Sequence, residues 1–284
     1  MTARAVVALL LAAAALTGCG DAPGDALGSG GSATPTVDTA PLDALDLVGR
    51  WHVEGDGVEP GTALVLGEQL AVFLPCGVLD GAWEADGESG LLVAGSSSGD
   101  GPCFGPDGRQ PLPWLDGARR FAVDGDVRTL LDASGRVLAT LRPGARPTVG
   151  PNRVADAAQE PEVSGELRAG LAAAAPLPAG VRPATATDLL RRWRPVGVQN
   201  AEAHLLFAAD GGFTGSDGCN GQSGRWTLGA AGRLLATSGP QTLIGCEGAP
   251  VGSWVDQAGR AGVVDGDLVL HGRDGALLGR LSPA

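Results

Sequence analysis

Asp46-Leu47-Val48-Gly49-Arg50-Trp51 returns 142 residues later as Asp188-Leu189-Leu190-Arg191-Arg192-Trp193. Working outward, the correspondence continues. Pro75-Cys76-Gly77 and Gly81-Ala82-Trp83 match Gly218-Cys219-Asn220 and Gly224-Arg225-Trp226 at an offset of 143. Leu91-Leu92 aligns with Leu234-Leu235, and Cys103 with Cys246, at the same offset. Trp114-Leu115-Asp116 aligns with Trp254-Val255-Asp256 at 140, Asp124-Gly125-Asp126 with Asp265-Gly266-Asp267 at 141, and Leu141 with Leu281 at 140. All six Trp fall into three such pairs, and every one of the five Cys except Cys19 falls into two. Rare residues carry the most information in a biased composition, so the chain reads as a tandem duplication. Each unit has about a hundred residues, an ordinary single-domain size.

Each unit reads as mostly strand. Copy one has apolar runs at 62–66, 70–74 and 91–93, and copy two at 204–207 and 233–236. Both copies close alike, with a hairpin around Asp124-Gly125 or Asp265-Gly266, since Asp-Gly is a preferred dipeptide for a two-residue hairpin turn. A last strand follows at 137–141 and at 276–281. A short helix is expected before each hairpin, because Trp114, Leu115 and Ala118 share a helical face, as do Val251, Trp254, Val255 and Ala258. The expected class is mainly β: two small curled-sheet or barrel domains, each with one short helix, joined by a Pro/Ala-rich linker.

The segments around the copies have their own character. Arg4 precedes an unbroken apolar run at 5–16, followed by Thr17-Gly18-Cys19. That run suits a signal sequence and is too short for a mature membrane span. With Cys19 directly after small residues, the segment resembles the lipobox of bacterial lipoproteins. The resemblance implies a signal peptide at 1–18, cleavage before Cys19, acylation of its thiol, and an extracytoplasmic, lipid-anchored location in the cell envelope. Residues 19–44, poor in aromatics and apolar period, then read as a flexible tether. Copy one spans 45–143 and copy two 185–284. Between them, 144–184 is punctuated by prolines and reads as a linker with room for a short helix at 166–175.

Copy two contains Phe213-Thr214-Gly215-Ser216-Asp217-Gly218-Cys219-Asn220-Gly221-Gln222-Ser223-Gly224-Arg225-Trp226, and later Thr242-Leu243-Ile244-Gly245-Cys246. These segments resemble the META domain family, also called HslJ-like, whose pattern runs from Gly-x-x-Gly-Cys-Asn to Gly-x-aromatic and then Thr-x-x-x-Cys. The likeness covers about 187–281. Copy one departs from it: Cys76-Gly77 stands in place of Cys-Asn, Pro102 precedes Cys103, and the Thr-x-x-x-Cys element is missing. Both copies carry Trp where the family usually has Tyr. The resemblance implies a small β-rich domain with a curled, lipocalin-like sheet, and a weak association with stress response or envelope function.

The net charge is −12 with no basic cluster beyond Arg191, Arg192 and Arg194, which argues against nucleic-acid binding. The four domain cysteines are spaced 27 apart within each copy. An exported chain meets an oxidising compartment, four cysteines allow three pairings, and duplication selects Cys76–Cys103 and Cys219–Cys246. His52, His204 and His271 have no counterpart in the other copy. Gly95-Ser96-Ser97-Ser98-Gly99 reads as a Ser-rich loop rather than a nucleophile elbow, and Ser216-Asp217 near His204 lacks a third member. The pairs Asp124/Asp126 and Asp265/Asp267 read as turn chemistry rather than a metal site. No catalytic residue, metal or cofactor is assigned. Asn220 either closes an Asx turn or points into a ligand cleft. Because copy one lacks the Gly-Cys-Asn block and Thr242, any specific binding is expected in copy two around Asn220 and Arg225, with copy one mainly a spacer or scaffold. The functional expectation is a non-enzymatic binding or envelope-support module with a protein or small-molecule partner. A hydrolase with a site in a barrel mouth, and an inhibitor or chaperone-like partner of exported proteins, are the alternatives.

Overall fold

A computed structural model describes residues 42–105, 108–148, 158–241, 244–245 and 248–284. The expectations for Cys19, Thr242 and Cys246, and with Cys246 the second disulfide, lie outside the described residues.

In the first repeat a 3-10 turn at Ala44–Leu47 leads into β1 (Gly49–Glu54), β2 (Ala63–Leu66), β3 (Leu70–Leu74), β4 (Gly77–Asp86) and β5 (Leu91–Gly99). A two-residue ribbon, β6 (Phe104–Gly105) and β7 (Gly108–Arg109), precedes helix α1 (Pro113–Asp116). Strands β8 (Arg120–Asp124), β9 (Val127–Leu131) and β10 (Val137–Pro143) complete it. Apart from that ribbon the strands form an antiparallel meander, and β1 pairs back onto β10, closing an eight-stranded barrel.

The chain then crosses through helix α2 (Gly165–Leu171), β11 (Arg182–Pro183) and helix α3 (Ala186–Leu189). The second repeat has β12 (Arg192–Pro195), β13 (His204–Phe207), β14 (Gly212–Ser216), β15 (Gly221–Leu228) and β16 (Leu234–Ser238). Helix α4 (Val251–Gln257), β17 (Ala258–Val264), β18 (Asp267–Gly272) and β19 (Leu277–Pro283) follow. Strand for strand this is the meander of the first repeat: β12–β16 stand for β1–β5 and β17–β19 for β8–β10. In the barrel β5 meets β8 only at Leu91 and Arg120. The second repeat is an open, curled nine-stranded sheet with β11 added at the β17 edge, and its two ends, β16 and β17, approach only beside a lone bridge between Arg233 and Arg260. The short helix of each repeat enters at that narrow closure. The fold is mainly β, as the periodicities indicate.

Equivalent tryptophans do equivalent work. Trp51 donates its indole N–H to the Leu47 carbonyl at 2.9 Å, and Trp193 to the Leu189 carbonyl at 3.1 Å. A buried indole needs such an acceptor, and both repeats supply it from the turn four residues upstream. Side chains fill each interior. Trp51, Leu64, Leu66, Leu70, Val72, Leu92, Trp114 and Leu141 share one cluster, and Trp193, Phe207, Phe213, Trp226, Leu234, Val255 and Leu281 another.

Three sequence expectations change in detail. The Ser-rich stretch at 95–99 is not a loop: it is the second half of β5, with Ser96 opposite Gly81 and Ser98 opposite Asp80. The β4 ladder outweighs the weak strand preference of Gly and Ser. Leu91-Leu92 does not correspond to Leu234-Leu235. Trp83 pairs with Ala94, eleven residues on, whereas Trp226 pairs with Ala236, ten residues on. The turn is one residue shorter in copy two, so Leu92 corresponds to Leu234 and Leu91 to Arg233. The same kind of slip separates the two hairpins. The two-residue turn is Gly125-Asp126 in copy one and Asp265-Gly266 in copy two. Gly125 alone has positive φ in the first, at 54°, whereas Asp265 and Gly266 both do in the second, at 53° and 89°. One Asp-Gly dipeptide thus serves two turn types.

The stretch 144–184 packs closely where it is described. Leu167 and Leu171 of α2 join the first core, Ala145 covers the outer face of β2–β4, and β11 pairs with β17. Residues Ala40–Ala284 fall in one compact unit.

Candidate functional site

Within that unit, β4 and β5 of the barrel pack against β15 and β16 of the second repeat's sheet. These are the same two strands of each repeat, so each copy offers the other an equivalent face. The centre of this seam is apolar, made by Leu91, Val93 and Leu235. The one-residue slip described above is what turns Leu235, rather than Leu234, toward it, since a single-residue shift exchanges the faces of a strand.

At the Leu91 end the seam is charged. Asp86 and Arg233 form an ion pair at 2.9 Å with both side chains 3% exposed. Arg233 also donates to the Gly259 carbonyl at 2.9 Å, and Ser89 bonds the Asp86 carboxylate. Arg233 Nη2 makes no hydrogen bond among the described residues. Beside this pair, Arg273 reaches Glu84 at 3.0 Å. Burial pushes the Glu84 carboxyl up to about 7, against the pull of Arg273 and Arg233 and with a smaller push from Asp256.

At the other end the seam opens into a cleft of about 350 Å³. Ser97 and Gly95 line it from β5, Ser223 and Arg225 from β15, Thr237 and Ser238 from β16, and Phe104 stands at its rim, 37% exposed. The Arg225 side chain crosses from the second repeat's sheet onto the barrel at Gly95. A Cβ on Gly95 would lie 3.4 Å from Arg225 Cδ, so the absent side chain leaves the arginine stem its bed. Arg225 donates one long bond, 3.3 Å, to the Asp210 carbonyl. Its Nε has no hydrogen-bond partner and no carboxylate pairs with it among the described residues. Arg119 donates to the same Asp210 carbonyl at 2.7 Å. Burial, and next the nearby Arg225 charge, lower the Arg119 guanidinium to about 10, which leaves it a cation at neutral pH.

The two candidate residues therefore part company. Arg225 lines the cleft, whereas Asn220 is committed elsewhere. The Asn220 amide donates to Asp217 at 2.8 Å and to the Ile244 carbonyl at 2.9 Å, and accepts from the Ile244 N–H at 2.6 Å. It is 7% exposed. Asp217 in turn accepts the backbone N–H groups of Cys219 and Asn220. Burial works against that carboxylate, but the donors from Asn220 and Cys219 outweigh it and hold its pKa below the usual range.

The other sequence candidates have local roles. Cys76 and Cys103 form a disulfide with Cα atoms 5.2 Å apart. His204 Nδ1 faces the Glu202 carbonyl, although Ser216 lies opposite it in the ladder, and His271 Nδ1 faces the Gly275 carbonyl. Asp267 pairs with Arg280 at 2.6 Å, and Asp265 occupies the turn. The described residues contain no group of three or more metal-ligating side chains. What the sequence did not reveal is the Ser238–Asp256–Gln222 cluster behind the cleft, where Ser238 bonds the Asp256 carboxylate and Gln222 reaches both. Comparison with family models, curated proteins and solved structures yields no match to this chain.

Proposed function

We propose that this protein is an exported, lipid-anchored binding module of the META-domain type, non-enzymatic, that holds a ligand or partner group in the cleft between its two repeats. One observation carries the reading. The interiors of the barrel and of the curled second sheet are both filled by side chains, while the seam keeps an open, hydroxyl-lined cleft with a half-buried guanidinium in it. Ligand sites are concave and carry a few polar groups that fix orientation, and this cleft has that make-up. The lipid anchor rests on Cys19 after the apolar run at 5–16, and the extracytoplasmic setting agrees with the Cys76–Cys103 disulfide.

The test is capture of partners from intact envelopes with the full protein and with Ser223→Trp, which fills the cleft from an exposed position. The expected result is material retained by the unaltered protein and lost with the variant. Equal retention by both contradicts the cleft as the binding surface. Cys19→Ser tests the anchor separately. It is expected to abolish acylation and release the protein, and an unmodified mature chain beginning elsewhere contradicts it.

A further inference from the structure

Arg225 occupies an unusual position for a cation in a chain of net charge −12. Its counterpart in the first repeat, by the alignment of Gly81-Ala82-Trp83 with Gly224-Arg225-Trp226, is Ala82. The barrel therefore closes without an arginine here, and packing does not demand one. The guanidinium is half-buried, has no carboxylate partner among the described residues, and leaves Nε unbonded. A second cation, Arg119, bonds the same backbone carbonyl, so two like charges stand close, and the Asp210 and Asp116 carboxylates only partly offset the effect of Arg225 and burial on Arg119. Ser96, another lining residue, is 7% exposed with an Oγ that makes no hydrogen bond among the described residues. Hydroxyls of Ser97, Ser223 and Thr237 complete the surroundings, while that of Ser238 is taken by Asp256.

We infer that the seam cleft takes a small oxyanion, a carboxylate or phosphate group, paired with Arg225 and hydrogen-bonded by the surrounding hydroxyls. This rests on the cleft being the binding surface and names the chemistry it selects. A planar guanidinium with free donors matches an oxyanion in shape as well as charge. The anion also relieves the repulsion between Arg225 and Arg119, so site and ligand stabilise each other. A volume of about 350 Å³ admits a small ligand or one group of a larger one and excludes a folded domain.

The test uses the full chain with 15N-labelled arginine at constant ionic strength and pH 7. Inorganic phosphate, acetate and a neutral disaccharide are titrated separately. The expected result is a saturable shift of the Arg225 Nε–H resonance with phosphate or acetate. Arg225→Gln is expected to weaken that binding about tenfold or more, as loss of a charge-assisted contact does. Thr237→Val, which keeps the guanidinium, is expected to weaken it about threefold. Arg142→Gln, an exposed partner of Glu54, is expected to leave it unchanged. A shift that never saturates, or equal affinity in Arg225→Gln, overturns the inference. Disaccharide binding at Ser97 and Thr237 without any response to phosphate or acetate also overturns it, while leaving the cleft as a binding surface.

Discussion

Asn220 commits its whole side chain inside its own repeat. One amide tethers the 217–220 turn to residue 244 through two hydrogen bonds and closes the turn onto Asp217 through a third. Removing it breaks the part-buried bonds to Ile244 and Asp217, and hydrogen bonds of this kind contribute about 0.5–1.5 kcal/mol each. Asn220→Ala is therefore expected to lower unfolding stability by roughly that amount, measured by urea titration, and to leave anion binding in the cleft unchanged. Loss of binding at unaltered stability would return Asn220 to the site. Arg225 makes the contrasting case: it is expected to matter to binding and little to stability, because Ala82 holds the matching place. Glu84 adds a pH dependence. Its carboxyl sits near 7 in the fold, above the usual carboxylate value, chiefly through burial. The folded state then binds more protons, so this group's contribution is most favourable at low pH and is lost as pH rises through about 7. Arg273, Arg233 and Asp256 bear on the same group, so Glu84→Gln is needed as the reference. The unaltered protein's melting temperature is expected to fall relative to Glu84→Gln between pH 5 and 8. A constant difference would contradict the assignment.

At the level of elements, the duplicated turns show what sequence patterns resolve and where they slip. The paired tryptophans and the closing hairpins were legible because large apolar side chains and Asp-Gly dipeptides have few structural uses. The registers within those elements were not, since a one-residue difference in turn length leaves the residue types almost unchanged while exchanging faces. Leu234-Leu235 looks the same in either register, and only pairing to Trp226 decides which leucine faces inward. The hairpins provide a direct check. Gly125 and Gly266 hold positive φ, and Asp126 does not. Gly125→Ala and Gly266→Ala are each expected to cost about 1 kcal/mol or more in urea unfolding, while Asp126→Ala costs little. Equal costs at all three positions would mean that the turns share one register. The Ser-rich half of β5 was hidden for a related reason. Its strand character comes from β4 beside it, not from its own residues. The cleft was hidden too, because its lining comes from both repeats and no local pattern announces their contact. Arg225 was marked only by its nearness to the Gly-Cys-Asn block that copy one lacks. The Cys76–Cys103 bridge closes a separation of 27 residues. Replacing both cysteines by serine is expected to cost roughly 3.5 kcal/mol on the chain-entropy estimate. An unchanged transition would show that the loop is already held by packing.

At the scale of the whole molecule, two copies of one meander, the first closed into a barrel and the second an open curled sheet, offer each other the same strands and thereby make something neither has alone. The apolar centre at Leu91, Val93 and Leu235 holds the faces together, the buried Asp86–Arg233 pair fixes one end, and the cleft opens at the other. Buried ion pairs add little net stability over apolar packing, but breaking one by removing a single partner is costly, about 3–5 kcal/mol. Such a pair selects one docking register from the many that an apolar patch permits. The cleft exists only in that register, so binding at Arg225 depends on contacts at the far end of the seam. The most direct measurement is a double-mutant cycle on Asp86→Asn and Arg233→Gln in the full chain, read by urea unfolding and by the phosphate-dependent shift at Arg225. The expected result is that either single change is costly and weakens the shift, with a coupling energy of about 1–3 kcal/mol between the two. Additive effects within about 0.5 kcal/mol, with the Arg225 response unaltered, would mean that the repeats do not meet across this seam.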